Sequence, residues 1–359
     1  MAGPLIALDA TLAGGTSTGD SAYWTGLLTG LAEVAHDFRF LLLSDAAPPR
    51  DVALPEDRFR WIRLPRRPAR WFSLVTMPLA ARRLGASVFH TQYNLSPLAR
   101  NGVTTIHDVS FFIGPEWFKP RDRFLLRRFV AGSARRAVRV ITVSEASKGD
   151  IVRFLGVPEE KVVVTYNAPH PRFRPVSEDE RRPVLERLGV TAPYLLTVGT
   201  RWPRKNMALA VKAAALLPED LPHRLVITGK PGWGEEGGGP RLHATGYLAD
   251  EDMPALYSGA SLYLCPSHYE GFGIPVVEAF ACGTPVITSP GGGLREVAGD
   301  AAEVMEEMTP EAWAERIRSL LADSSNLAAM RERGLRRAQG FSWADTARRT
   351  VQVYREAAL

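Results

Sequence analysis

The sequence predicts an α/β protein made of two doubly wound domains, each built on a parallel sheet. Short continuous apolar runs, such as LIALDA at residues 5–10 and RVITVS at 139–144, alternate with stretches of helical periodicity. Strands that are apolar on both faces are typical of parallel sheets covered by helices on both sides. The 359 residues are long for one domain and sufficient for two hydrophobic cores.

The N-terminal half follows this pattern from its beginning. LIALDA predicts a first strand, and a glycine loop then leads to a helical stretch over residues 20–38. Each of the next apolar runs ends in polar residues and predicts a further strand: FRFLLLS, SVFHTQ, GVTTIHDVSFF and RVITVS. The first run follows no basic segment and is soon broken by Asp9, which favours a strand over a signal peptide.

After a segment rich in Pro, Arg and Glu at residues 169–182, the pattern starts again. YLLTVG predicts a strand and residues 206–217 predict a helix, and more strands are predicted by RLVITG, SLYLCPS and PVITS. This restart predicts a second domain, joined to the first near residues 170–183. In open parallel sheets a ligand binds beyond the carboxyl ends of the strands, where the polar loops of this sequence fall.

Composition narrows the possible partners and compartments. A net charge of +5 and a pI near 9.3 suit a nucleotide, a nucleic acid or a membrane surface, although an arginine-rich composition explains them equally well. The two cysteines, Cys265 and Cys282, form no metal-ligand pattern and indicate a reducing, cytoplasmic compartment. No uncharged apolar stretch approaches the roughly 18 residues of a membrane-spanning helix.

The stretch EGFGIPVVEAFACGTPVI, residues 270–287, predicts an anion-binding site at a helix N-terminus. Pro275 suits the first turn of a helix, where its missing N–H has no cost, and Gly283 suits the end of that helix. Residues 271–274 then present backbone N–H groups to an anion, favoured by the helix dipole, and glycine lets the backbone approach closely. A diphosphate fits this arrangement.

Two glutamates flank this predicted anion site. A carboxylate only accepts hydrogen bonds, so Glu278 suits a ribose diol and Glu270 suits sugar hydroxyls on the other side of the phosphates. A sugar nucleotide carries these three parts in that order. The alternative is that Glu270 lies on a surface loop and Glu278 on a solvated helix face.

The loop TRWPRKN adds positive charge near the same predicted ligand. It lies between a strand and a helix and contains Arg201, Arg204 and Lys205. Basic side chains at the carboxyl end of a strand suit a diphosphate, whereas a basic surface loop is the alternative.

These segments, in this order, resemble glycosyltransferase family 4, a family of retaining enzymes with the GT-B fold. The stretch from Glu270 resembles the Glu-x7-Glu signature of that family. Other family segments are similar to TTIHDVSFF, RVITVSEASKGDI, LLTVGTRWPRKNMALAVKA, HATGYLADEDMPALYSGA and FSWADTARRTVQVYREA. The resemblance covers nearly the whole chain and implies two Rossmann-like domains facing a central cleft. Many members carry an arginine where this chain has Thr200, so the role of Arg201 relative to Arg204 stays open.

The resemblance also implies a role for each domain and for individual residues. Residues 1–172 are expected to form the acceptor-side domain, 173–340 the nucleotide-sugar-binding domain, and 341–359 a helix that crosses back to the N-terminal domain. Catalytic roles are implied for His107, which would face the donor sugar, and for Glu270, Lys205 and Arg204. Donor binding is implied for Gly15, Gly19, Arg201, Tyr247, Leu248, Gly271, Phe272, Gly273, Ile274 and Glu278.

The implied activity is retaining transfer of a hexose from a nucleoside-diphosphate sugar to a hydroxyl of a glycan or lipid-linked glycan. The segment Glu-Gly-Phe-Gly-Ile-Pro is similar to that of mannosyltransferases that use GDP-mannose. No nucleic acid and no cofactor are expected. No metal is expected either, because Asp250-Glu251-Asp252 fits the start of a helix and basic residues can neutralise the leaving diphosphate. A GT-B sugar-nucleotide epimerase, a nicotinamide-dependent dehydrogenase and a non-catalytic binding protein are the alternatives; the loop GGTSTG lacks the dinucleotide-binding spacing.

Two arginine-rich segments in the N-terminal half suggest where an acceptor is found. Residues 121–139 carry seven arginines and one aspartate, and residues 61–77 place aromatic side chains among arginines. Such segments suit an anionic membrane surface. The hypothesis is a cytoplasmic protein with peripheral contact to the inner face of the cell membrane. In the alternative, the apolar side chains pack on the sheet and the arginines are merely solvated.

Overall fold

A computed structural model describes residues 3–13, 19–48, 52–234, 239 and 241–359. Its contacts divide the chain into two compact units. Unit 1 contains Met1–Ala168 and Ser342–Leu359, and unit 2 contains Pro169–Phe341. The divisions after Ala168 and Phe341 lie close to the boundaries expected after residues 172 and 340.

Unit 1 is built on a parallel sheet of seven strands in the order β3-β2-β1-β4-β5-β6-β7, within the described residues. The strands are β1 (Leu5–Asp9), β2 (Arg39–Ser44), β3 (Phe59–Arg63), β4 (Val88–Gln92), β5 (Gly102–Thr105), β6 (Arg139–Thr142) and β7 (Val162–Val164). The strand order reverses direction between β1 and β4, which is the switch point of a Rossmann-like sheet.

Six α-helices accompany this sheet in the described part of unit 1 before its last segment. They are α1 (Gly19–Val34), α2 (Ala69–Trp71), α3 (Met77–Arg83), α4 (Ser110–Ile113), α5 (Pro120–Arg136) and α6 (Glu145–Leu155). A π-helical turn (Phe72–Thr76) joins α2 to α3, and 3-10 turns cover Pro115–Trp117 and Glu159–Lys161. The start of α6 is set locally, because the Ser144 side chain accepts a hydrogen bond from the backbone N–H of Ser147 (3.0 Å).

Unit 2 repeats the architecture with six described strands in the order β10-β9-β8-β11-β12-β13, all parallel. They are β8 (Tyr194–Val198), β9 (Arg224–Thr228), β10 (Leu242–Gly246), β11 (Leu262–Cys265), β12 (Val286–Thr288) and β13 (Ala302–Val304). The helices are α7 (Glu178–Arg187), α8 (Met207–Ala215), α9 (Met253–Gly259), α10 (Ile274–Ala281), α11 (Leu294–Ala298), α12 (Pro310–Leu321) and α13 (Ser324–Gln339). The switch point of this sheet lies between β8 and β11.

The last helix, α14 (Trp343–Ala358), belongs to unit 1 although the chain reaches it from unit 2. It packs on α1 through two glycines. A Cβ at Gly26 would lie 2.0 Å from the Trp343 ring, and one at Gly30 would lie 2.1 Å from the Trp343 carbonyl oxygen. Only glycine permits so close an approach of the two helices. In the described residues, no helix is both long and apolar enough to span a bilayer.

Candidate active site

Four loops of unit 2 follow the carboxyl ends of its parallel strands and therefore lie at the same end of the sheet. The segment with Arg204 and Lys205 follows β8, Lys230 follows β9, Tyr247 follows β10, and Glu270 follows β11. Because β8 and β11 are neighbours, the loops after them meet at the switch point. The backbone N–H of His268 donates to the carbonyl oxygen of Arg204 (2.8 Å) and ties these two loops together. Ligands of doubly wound folds bind at this position.

Glu270 lies at the centre of a buried ionic cluster at this end of the sheet. Arg204 Nη1 donates to Glu270 Oε2 (2.8 Å), and Lys205 Nζ donates to Oε1 (2.6 Å). The Ser267 hydroxyl also donates to Oε1 (2.6 Å). The exposed fractions of the side chains are 12% for Arg204, 16% for Lys205 and 8% for Glu270. The structure thus joins three predicted catalytic residues in one cluster.

The electrostatics of the cluster keep Glu270 ionised. Burial alone would raise the pKa of Glu270, but the charges of Arg204 and Lys205 and the hydrogen bonds from Lys205 and Ser267 outweigh it and lower the pKa to about 2. A carboxylate offers about four acceptor positions, and these donors fill three of them. Glu270 can therefore accept about one further hydrogen bond.

The cluster carries a net positive charge, since two cations share one carboxylate. The Lys205 ammonium has three N–H donors, and its bond to Glu270 leaves donors for another acceptor. Buried cations that one carboxylate only half neutralises favour an anionic ligand, because it would restore charge balance where water is excluded.

The backbone of Arg201, in the same loop, joins two loops of the site. Its backbone N–H donates to Lys230 O (3.2 Å), and its carbonyl oxygen accepts from the N–H of Gly234 (2.8 Å). These bonds link the loop after β8 to the loop after β9. The sequence did not decide between Arg201 and Arg204 for a role at the diphosphate. In the structure Arg204 contacts Glu270.

The predicted anion loop precedes α10, as the glycine and proline positions indicate. Gly273 has φ 100°, a left-handed conformation, and a Cβ there would lie 2.7 Å from the Leu294 side chain. Pro275 lies in the first turn of α10. The N–H of Gly293 donates to Glu270 O (2.8 Å), which holds the loop from Glu270 to Ile274 against the glycine-rich segment 291–293. Gly271, Phe272, Gly273 and Ile274 thus follow Glu270 directly into the helix.

Glu278 lies on α10 with a partly exposed side chain in an environment unlike that of Glu270. The Tyr257 hydroxyl donates to Glu278 Oε2 (3.1 Å). Burial of the carboxyl group raises the pKa of Glu278 to about 7, although the Tyr257 hydrogen bond and the charges of Arg172 and Lys205 oppose the rise. Near neutral pH this carboxyl group therefore changes between an acceptor-only carboxylate and an acid that also donates.

Tyr247 and Leu248, two of the predicted donor-binding residues, follow the carboxyl end of β10. Tyr247 is 44% exposed, and the Lys230 ammonium lies 4.8 Å from its ring centroid in a cation–π contact. Leu248 is buried. Both residues thus follow a strand at the same carboxyl end of the sheet as the Glu270 cluster, and donor binding by them stays a prediction.

In unit 1, His107 follows β5 in a buried position. The Tyr23 ring meets the His107 ring edge-on at 4.8 Å, and burial lowers the pKa of His107. Asp20, in the first turn of α1, places Oδ1 3.6 Å from His107 Nε2, which has no hydrogen-bond partner in the described ranges. Gly19 is the first residue of α1, whereas Gly15 lies outside the described residues.

The acidic run Asp250-Glu251-Asp252 leads into α9 and is bound by arginines. Arg172 Nη1 lies 3.3 Å from Glu251 Oε1 and 3.8 Å from Asp250 Oδ2, and Arg187 donates to both oxygens of Asp252. Among the residues that the structure describes, no three His, Cys, Asp or Glu side chains gather into a possible metal site.

Three site residues were missed by sequence reasoning: Ser267, Tyr257 and Asp20. Ser267 precedes Glu270 by three positions in a loop where a serine is unremarkable. Tyr257 reaches Glu278 from a neighbouring helix, and Asp20 reaches His107 from another secondary-structure element. Only Ser267 had a local signal, its short separation from Glu270.

Two family models match the chain and together cover most of it. The model for glycosyl transferases group 1 matches residues 180–337, and the model for glycosyltransferase family 4 matches residues 18–171. The chain is 35% identical over 266 residues to the O-antigen chain mannosyltransferase B of Escherichia coli, which covers 70% of each protein.

Solved structures share the architecture at low sequence identity. Sucrose-phosphate synthase from Thermosynechococcus elongatus matches with a TM-score of 0.77 and 23% identity over 98% of both chains. Anabaena HepE, solved in complex with UDP-glucose, matches with a TM-score of 0.75 and 19% identity over 98% of this chain and 99% of HepE. At these identities the likeness shows the fold alone.

The fold and the family matches define a glycosyltransferase with the GT-B fold and two Rossmann-like units. The chain belongs to glycosyltransferase family 4 and is a hexosyltransferase. The predicted fold class, family and enzyme class are confirmed.

Proposed function

We propose that this chain transfers a hexose, with mannose favoured, from a nucleoside-diphosphate sugar to a hydroxyl of a glycan or lipid-linked glycan. The observation that carries the proposal is the buried cluster in which Arg204 and Lys205 share the single carboxylate of Glu270 at the switch point of unit 2. This cluster suits a diphosphate, with Glu270 left to accept about one sugar hydroxyl. The UDP-glucose complex of HepE and the mannosyltransferase relative support the donor class and the choice of sugar.

The same cluster supports retention by front-face displacement without a metal. Glu270 already accepts three hydrogen bonds and has a pKa of about 2, so it is a weak nucleophile for a covalent intermediate. Lys205 and Arg204 supply the positive charge that stabilises the leaving diphosphate. The departing phosphate oxygen then takes the proton of the acceptor hydroxyl on the same face of the sugar.

A thermal-shift screen of nucleotide sugars tests this proposal. GDP-mannose, UDP-glucose and the free diphosphates GDP and UDP are each titrated against the full chain. At 100 times its Kd, a binding ligand adds about 2.7 kcal/mol to the free energy of unfolding, and we expect the largest shift from GDP-mannose. If no nucleotide sugar or diphosphate raises the unfolding temperature, the proposal is wrong. Binding accompanied by isomerisation of the donor without acceptor would instead favour an epimerase.

We further propose that unit 1 contacts an anionic membrane surface. Helix α5 exposes Phe124 (67%) beside several arginines, and Trp71 is 58% exposed after the arginines of residues 66–70. The Arg70 guanidinium lies 5.4 Å from the Phe129 ring centroid, so the two segments form one surface. Phe72, within residues 61–77, is buried in the core and is not part of this surface. Arg139, the last residue of the segment 121–139, belongs to β6.

Sedimentation with liposomes tests the membrane proposal. With vesicles that contain anionic lipid at low salt, we expect the protein in the pellet, because each basic residue near such a surface contributes about 1 kcal/mol. Neutral vesicles and high salt should release it. The double variant Trp71→Ser/Phe124→Ser should stay in the supernatant, while Trp202→Ser, which changes an exposed tryptophan of unit 2, should behave as wild type. Wild-type protein that stays in the supernatant with anionic vesicles would overturn the proposal.

A further inference from the structure

Tyr257, on α9, is held rigidly in the interior of unit 2. Its side chain is fully buried, and its ring meets the rings of Tyr263 (5.6 Å) and Phe173 (5.8 Å) edge-on. Its carbonyl oxygen accepts a hydrogen bond from the Thr284 hydroxyl (2.7 Å). These contacts fix both the backbone and the ring, so the position of the phenolic oxygen is well determined.

Packing alone does not explain why residue 257 carries a hydroxyl group. A phenylalanine would fill the same space among the rings without a polar atom to satisfy. The hydroxyl donates to Glu278 Oε2 (3.1 Å), on the neighbouring helix α10. This bond occupies one carboxyl oxygen of Glu278, Oε2, and restricts the rotation of the carboxyl group.

The protonation state of Glu278 depends on its contacts with polar and charged groups. Several charged or titratable groups interact with it electrostatically: Tyr257, Asp250, Arg172, Lys205, Tyr263 and Cys282. Burial raises its pKa to about 7, and the hydrogen bond from Tyr257 lowers it. Without that bond, a smaller fraction of Glu278 would be ionised at neutral pH.

We propose that Tyr257 is a positioning residue for nucleotide binding, which holds Glu278 through Oε2 so that Oε1 accepts hydrogen bonds from the ribose hydroxyls. The inference rests on the proposed nucleoside-diphosphate donor and adds a residue outside the Glu-x7-Glu segment. Tyr257 itself does not touch the ligand. It acts by orienting a carboxylate and by keeping it ionised in the pH range where the carboxylate must accept.

The test is calorimetric titration of GDP and UDP against wild type and Tyr257→Phe from pH 5.5 to 9. The titration of the ligand phosphate is common to both proteins and cancels in the comparison. Loss of a hydrogen bond to a charged group should raise the pKa of Glu278 by about one unit. The midpoint of the pH dependence of binding should therefore lie about one pH unit higher in the variant than in wild type. At pH 7 its Kd should rise about fivefold, and at pH 9 the difference should shrink.

Two controls separate positioning from packing. Tyr263→Phe removes the hydroxyl of another fully buried tyrosine in the same ring cluster. Burial raises the pKa of Tyr263 well above its usual value, so this hydroxyl is neutral from pH 5.5 to 9 and its loss should leave the pH midpoint unchanged. Glu278→Gln should abolish the pH-dependent step, and Tyr257→Phe added to it should have no further effect on pH dependence. A wild-type protein that binds GDP or UDP while Tyr257→Phe keeps the same midpoint overturns the inference. An equal loss at every pH does so as well. Failure of wild type to bind either nucleotide would instead refute the proposed function.

Discussion

Replacing Lys205 by alanine should lower kcat by about 10²–10³-fold at saturating donor, equivalent to loss of one preorganised donor to developing charge. The expectation follows from the charge of the cluster. Arg204, Lys205 and Glu270 together carry one net positive charge, and without Lys205 the remaining pair is neutral. A neutral pair has no excess charge to stabilise the leaving diphosphate, and its arginine stays bonded to Glu270.

Two further variants make this measurement specific. Lys205→Arg keeps the charge in a different geometry and should recover part of the activity. Lys212→Ala removes an exposed lysine from α8 in the same unit and should leave kcat unchanged. A Lys205→Ala enzyme that turns over within threefold of wild type would exclude this lysine from stabilising the leaving group.

The interior strands were predictable from the sequence, and the strands at the sheet edges were not. The runs that begin at Leu5, Arg139, Tyr194 and Ser261 form β1, β6, β8 and β11 as expected, because interior strands are apolar on both faces. The strands that sequence reasoning missed, β3, β7, β10 and β13, are the outermost of the two described sheets. Edge strands tolerate polar residues, as in FRWIR of β3 and LHATG of β10, which interrupt the apolar run. β7 and β13 are only three residues long, too short for a clear pattern.

The conformation of the segment that contains both glutamates was also predictable from the sequence. Pro275 in the first turn of α10, Gly283 with φ 72° just after its end and the order of the two glutamates follow from residues near one another in sequence. The partners of the glutamates come from other elements: Arg204 and Lys205 after β8, and Tyr257 on α9. Contacts across the sheet depend on strand order, which periodicity does not encode, so the opposite pKa shifts of Glu270 and Glu278 could not be foreseen.

The second large effect is expected at Glu270. Its replacement by alanine leaves Arg204 and Lys205 buried without their carboxylate, and breaking a buried pair in this way costs about 3–5 kcal/mol. Because the folded-state pKa of Glu270 is lowered to about 2, its contribution is present above pH 4.5 and is lost as pH falls toward 2. The destabilisation of Glu270→Ala should therefore be largest at neutral pH and should be relieved by a nucleoside diphosphate, whose charge would replace that of the lost carboxylate.

Calorimetric titration of the nucleoside diphosphate and the intact nucleotide sugar against wild type, Glu270→Ala and Glu278→Ala tests the central claim most directly. Glu278→Ala should weaken both ligands by the same factor, since both carry the ribose. Glu270→Ala should weaken the nucleotide sugar while the diphosphate binds at least as tightly as to wild type, because its phosphates meet two cations that no longer share the Glu270 carboxylate. If both variants lose the same affinity for both ligands, the assignment of Glu270 to the sugar and Glu278 to the ribose is wrong.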